Sequence, residues 1–174
     1  MTIIPGTSKN NCFFRQYCKV HEIDEGDTFF VTKKLLEHYR NAIWMNGGVT
    51  GAENSIMKNE GKEEVRKWYL WLRNLTHEEF ESTSIDSMIF HICRTDWILR
   101  VINVVLDRVK AFHNMGDTYY EILTREFFSK TIYTDDEIAE ELSMGRSTFY
   151  RRKREAILLC GILIWEEACD RKFA

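Results

Sequence analysis

Hydrophobic positions in this chain recur mostly every three or four residues, the period of one helix face. Phe29, Leu36, Tyr39 and Ile43 predict a helix over about 28–45, which Gly47 and Gly48 stop. The stretch NGGVTGAENSIMKNEG, 46–61, reads as a flexible loop. Val65, Trp68, Tyr69, Leu72 and Leu75 predict a helix over 62–75. Thr76 and Glu79 have the spacing of a capping box for a short helix, and Ile85, Met88, Ile89 and Ile92 mark the next, with Ser84 as its cap. Ile98, Val101, Ile102, Val105, Val109 and Phe112 form a further stripe. Leu99 and Leu106 lie off it, which predicts burial on more than one side. Asn114 and Gly116 end that helix, and Asp117 can cap another over about 118–129, carrying Tyr119, Ile122, Leu123 and Phe127. Only TFFV and IYT look strand-like. The expected fold is all-α, a compact helical array.

The pattern changes in YTDDEIAEELSMGRSTFYRRKREAI, 133–157. Thr134 and Glu137 have capping-box spacing, and Asp135, Asp136 and Glu137 fill a first turn that favours negative charge. Ile138 and Leu142 face inward together, and Ala139 is small enough for a second helix to cross closely. Ser143-Met144-Gly145 breaks the helix. Arg146 begins another, with Phe149, Ala156 and Ile157 inward and the stem of Lys153 between them. Arg146, Ser147, Tyr150, Arg151 and Arg154 then project outward. Two short helices, a three-residue turn and a small crossing residue make a helix-turn-helix pattern, whose second helix reaches base edges in a DNA major groove.

Charge supports the same division. The net charge of −3 predicts no affinity for nucleic acid by itself, so distribution decides. Residues 117–142 hold eight acidic and two basic side chains, whereas 145–155 hold five basic and one acidic. Phosphate binding needs the second composition. The plainer reading is a solvated basic helix face.

TDDEIAEELSMGRSTFYRRKREAI resembles the helix-turn-helix of sigma factor region 4, and the preceding YYEILTREFFSKTIY fits as well. The run GRSTFYRRKREAI is similar to that of the ArpU/RinA-like late transcriptional regulators of phages and prophages in Gram-positive bacteria. The resemblance is specific over about 117–160. Ser143 departs from the family's usual turn glycine, where the backbone often needs positive φ, and Gly145 replaces the usual serine cap. By position, the resemblance makes Arg146, Ser147, Thr148, Tyr150, Arg151 and Arg154 DNA-contacting residues. The earlier arginines would suit guanine edges; the later ones and the hydroxyls would suit phosphates.

Other constellations carry less. The opening MTIIPGTSKNNCFF lacks a basic start followed by an apolar run. The longest apolar run, Ala156–Trp165, is about half of what a membrane-spanning helix needs. Five sparsely spaced cysteines suggest reduced thiols in a cytoplasm. Cys12, Cys18 and His21 fall short of a tetrahedral zinc set, and His91-Ile92-Cys93 sits on an apolar helix. Cys93 with His91 and Asp96 lacks the spacing of an activated nucleophile. NGGVTG has no phosphate-loop ending. Most tryptophans read as core, Trp71 as a contact surface. No cofactor, metal or catalysis is expected.

In the tail, Ile157, Cys160, Ile164 and Ala168 share one side, widened by Leu158, Leu159, Leu163 and Trp165. So much apolar surface must pack on residues 84–129 or on a second chain; a homodimer through this helix is expected, as operators are often palindromic. The expected organisation is an N-terminal arm of unassigned role (1–27), a helical region (28–114) and a helix-turn-helix region extended by a long last helix (115–174). The expected function is sequence-specific binding of double-stranded DNA to regulate phage or prophage late genes with RNA polymerase. A sigma-like polymerase subunit, a helical scaffold protein and, last, an enzyme with a DNA-binding tail are the alternatives.

Overall fold

A computed structural model describes residues 9–44 and 96–168 of the chain. The helices expected between 62 and 95 and the loop 46–61 lie outside the described residues, with Trp68, Trp71, His91 and Cys93. The described residues form α1 (Lys9–Val20), α2 (Glu25–Trp44), α3 (Asp96–Lys110), α4 (Gly116–Leu123), a π-helical turn (Thr124–Phe128), α5 (Asp135–Glu141) and α6 (Arg146–Ala168). The fold is all-helical, with no strand among these residues.

α1 lies inside the stretch expected to be an arm. Phe14, Tyr17 and Cys18 are buried on one of its faces, and the Phe14 ring stacks on Phe112 at the end of α3. The chain then reverses through Glu22, whose φ is 54°. The N–H of Ile23 donates to the Cys18 carbonyl and that of Glu22 to the Lys19 carbonyl, the paired bonds of a Schellman ending. α2 starts a few residues before the expected 28, because Asp24 caps it: its carboxylate accepts the Asp27 N–H at 2.7 Å.

The α3 stripe is buried as expected at Ile98, Val101, Ile102, Val105 and Val109. The start of α4 differs from expectation. Asp117 is not its cap; Met115 holds that position and makes no side-chain cap bond. Gly116 decides the geometry, because a Cβ there would lie 2.3 Å from the Lys110 carbonyl oxygen. Only glycine lets α4 begin so close to the end of α3.

α6 is the central strut. It packs on α1, α2, α3 and α4 along its second half and on α5 near its start. Every residue from Glu155 to Glu166 is buried. At Gly161 a Cβ would meet Thr32 Oγ1 at 2.1 Å, so α2 and α6 cross where neither can gain volume. The homodimer contact expected through this helix loses its ground here. Ile157, Cys160, Ile164 and Ala168 are covered by the chain's own helices, leaving no apolar face of those residues for a second copy. The same core contains Phe14, Leu35, Ile102, Tyr119 and Trp165, and so spans the expected boundary at 114/115.

Two carboxylates sit inside this core, where an unpaired charge would be costly. Glu155 accepts from the Tyr119 hydroxyl at 2.6 Å and from Arg152 at 2.9 Å. Glu166 accepts from the Tyr17 hydroxyl and from Arg108 at 2.7 Å, while Arg108 also holds Glu167. Among the described residues no helix is long and apolar enough to cross a membrane.

Candidate nucleic-acid interface

The helix-turn-helix segment is built by local chemistry. Thr134 is extended and accepts the Glu137 N–H at 3.2 Å; the Glu137 carboxylate accepts the Thr134 N–H at 2.7 Å. This is the capping box the spacing predicts. The backbone bond from Thr134, with its hydroxyl, holds the Glu137 carboxyl below the ordinary carboxylate range. α5 ends at Leu142, and Ser143 takes a φ of 54°. The Ser143 N–H donates to the Glu140 carbonyl at 3.0 Å and the Met144 N–H to the Ala139 carbonyl at 2.8 Å. The ending is again a Schellman motif, here with a serine where glycine fits more easily. Gly145 gives α6 its first helical carbonyl, accepting from the Phe149 N–H.

Ile122, Ile138, Ala139 and Phe149 are buried together as a small core apart from the main one, with Tyr133, Leu142 and Met144 packed against it. Of the inward positions expected of the motif, 138, 139 and 149 are brought together here and Leu142 packs half-buried against them, whereas Ala156 and Ile157 belong to the main core.

Of the six residues assigned to DNA contact, Arg146, Ser147, Tyr150 and Arg154 are exposed, and Thr148 and Arg151 are half-buried. The Arg146 guanidinium lies 6.0 Å from the centre of the Tyr150 ring. Arg154 stands apart from the others. Its guanidinium covers the Phe29 ring at 4.6 Å and approaches Glu25 at 3.7 Å, tying it to the start of α2. The remaining basic residues of the run turn inward. Arg152 pairs with the buried Glu155, and Lys153, only 11% exposed, contacts Glu126 at 2.8 Å and Asp135 at 2.7 Å.

No protein-family model, curated protein or solved structure matches the chain.

The Lys153 cluster joins the π-helical turn, the first turn of α5 and α6. Burial opposes the charge on Lys153, but its two carboxylate bonds outweigh that and raise its pKa. Burial works the same way on Asp135, and the Lys153 ammonium overcomes it, holding the carboxyl below its ordinary value. Glu126 is buried more deeply, and its pKa is raised by that burial despite the same lysine. The nearby Tyr150 hydroxyl adds a smaller downward push on Asp135.

Reasoning from the sequence placed the Lys153 stem inward but missed the anions at its end. A lysine with an inward stem must deliver its ammonium to a carboxylate or to water. Asp135 was the nearest candidate on the partner helix. Glu126 had no such signal, because its placement depends on the π-helical turn.

The outer surface of the motif is divided. α5 exposes Asp136, Glu137 and Glu140, and its Glu141 binds Arg125 at 2.7 Å. The first two turns of α6 offer guanidinium and hydroxyl donors at Arg146, Ser147 and Tyr150. Such a helix fits a B-DNA major groove, which is about 12 Å wide.

Proposed function

We propose that this chain is a sequence-specific DNA-binding transcription regulator that lays the first turns of α6 in the major groove. The observation that carries the reading is the pairing of a closed inner face, Ile138, Ala139 and Phe149, with an outer face presenting Arg146, Ser147 and Tyr150. Capping box, left-handed turn residue and small crossing residue support the motif at the positions the sequence pattern named. The resemblance to ArpU/RinA-like regulators extends the proposal to late genes of a phage or prophage, with RNA polymerase as protein partner.

In this reading Arg146 and Ser147, at the tip of the helix, would meet base edges, and Tyr150 and Arg151, one turn later, would meet phosphates. Arg154 is the weakest of the six, since Glu25 and Phe29 already engage it.

The test is binding to mixed-sequence duplex DNA across a range of salt concentrations. Wild-type binding should weaken with salt, each neutralised phosphate contributing about 0.9 to the log–log slope. Arg146→Ala/Arg151→Ala should weaken binding and reduce the slope by roughly 1–2. Wild type that stays unbound at low salt would rule the proposal out.

A second reading, a helical protein-interaction module, draws on the acidic outer positions of α5, Asp136, Glu137 and Glu140. Retention of RNA polymerase on the immobilised chain without any DNA binding would favour it.

A further inference from the structure

Glu126 is held from two sides. Arg40 of α2 donates from Nη1 to its main-chain carbonyl at 2.5 Å and from Nη2 to the Thr131 carbonyl at 3.1 Å. Lys153 of α6 takes its carboxylate at 2.8 Å and reaches Asp135 at 2.7 Å with the same ammonium. One small cluster therefore connects the helix before the motif, the first turn of its first helix and the middle of its second. Few apolar groups make that connection: among the described residues the motif core has four buried ones, Ile122, Ile138, Ala139 and Phe149.

We propose that Lys153 is a positioning residue and not a DNA ligand: with Glu126 and Asp135 it fixes α5 against α6, and so sets the angle at which Arg146, Ser147 and Tyr150 meet DNA. The idea rests on the DNA-binding reading and deepens it. Its basis is geometric. Lys153 sits in the most basic run of the chain, RRKR, yet its ammonium points away from the exposed face into two carboxylates. An ammonium that is 11% exposed and gives two of its three donors to carboxylates is turned away from a phosphate, whereas a rigid cross-brace matters wherever contacts must be placed to within about half an ångström.

Asp135 makes the idea separable from simple electrostatics. Removing a carboxylate near DNA relieves repulsion and tightens binding. If Asp135 belongs to the brace, removing its charge must weaken binding instead.

The experiment measures duplex-DNA affinity by fluorescence anisotropy, against salt, for the wild-type chain, Lys153→Gln and Asp135→Asn. All are held well below their melting transitions, as checked by circular dichroism. The expected result is a loss of about tenfold in affinity for both variants, with salt slopes within about half a unit of wild type. A slope lower by about one in Lys153→Gln would make Lys153 a direct phosphate ligand and overturn the proposal. Tighter or unchanged binding by Asp135→Asn would overturn it too, and this variant keeps the test open if Lys153→Gln does not fold. Absence of wild-type binding at low salt would overturn the DNA-binding reading and this role together; the other two outcomes leave that reading standing.

Discussion

The described residues form two cores that share two helices, α4 and α6, and they are stabilised in different ways. The main core draws on α1, α2, α3, α4 and the second half of α6, and buries large side chains such as Trp165, Tyr119 and Phe14. The motif core has four buried residues and one large side chain, Phe149. Apolar burial is worth about 25 cal/mol per Å², so the first core can carry its helices by area alone and the second cannot. The second adds directional devices: a capping box at Thr134, a Schellman ending at Ser143 and the Lys153 cluster. A motif with little apolar area to bury is held by polar geometry instead.

The largest expected effect tests whether the two cores unfold separately. Phe149→Ala should cost about 3–5 kcal/mol locally and Leu159→Ala about 2–5 kcal/mol in the main core. In native-state hydrogen exchange, Phe149→Ala should strip protection from residues 135–149 while α1–α3 keep theirs, since the motif core contacts few of the main-core side chains. Leu159→Ala should lower protection throughout. Uniform loss in both variants would break the distinction and make the chain one cooperative unit.

A smaller effect concerns the capping box. Thr134→Ala removes the hydroxyl that accepts the Glu137 N–H and should cost about 1 kcal/mol at neutral pH. The folded pKa of Glu137 is lowered by its bonds to Thr134. A lowered folded pKa contributes stability that is present above the ordinary carboxylate value, about 4, and lost as pH falls through the folded one. The difference between wild type and Thr134→Ala should therefore shrink as the solution is acidified from about pH 5. Chemical denaturation at several pH values measures this. A difference that holds constant to the lowest pH would assign the cap to the hydroxyl alone, without the Glu137 charge.

The parts legible in the sequence were those whose cause is local. The α3 stripe, the Thr134 cap and the inward positions 138, 139 and 149 follow from neighbouring residues, while the left-handed turn at Ser143 was implied by the family resemblance. What the sequence hid depends on distant partners. Glu155 and Glu166 flank the apolar run, and nothing local in the sequence marks them as buried. At about 100° per residue, eleven residues return almost to the same face, and both are buried with Tyr119, Arg152, Tyr17 and Arg108 as partners. The tail's apolar width read as a dimer surface because α1, lying in the supposed arm, was not counted among its covers. Gly116 read as a helix end; its role as the first residue of α4 depends on how closely α3 lies beneath it.

The smallest effect sharpens the comparison in the other direction, by strengthening the weaker core. Ser143 holds a φ of 54°, a region that costs an L-residue about 1–2 kcal/mol, while glycine adopts it without that penalty. Glycine's greater freedom in the unfolded chain returns part of the gain, so Ser143→Gly should stabilise by roughly 0.5–1 kcal/mol. If the two cores open independently, exchange should slow within 135–149 and stay unchanged in α1–α3. The salt slope of DNA binding should stay as it is, because Ser143 carries no charge. A rise in global stability equal to the local one would mean that the motif core governs unfolding of the whole chain. The buried half of α6 would then be the follower, and apolar area would no longer rank the two cores.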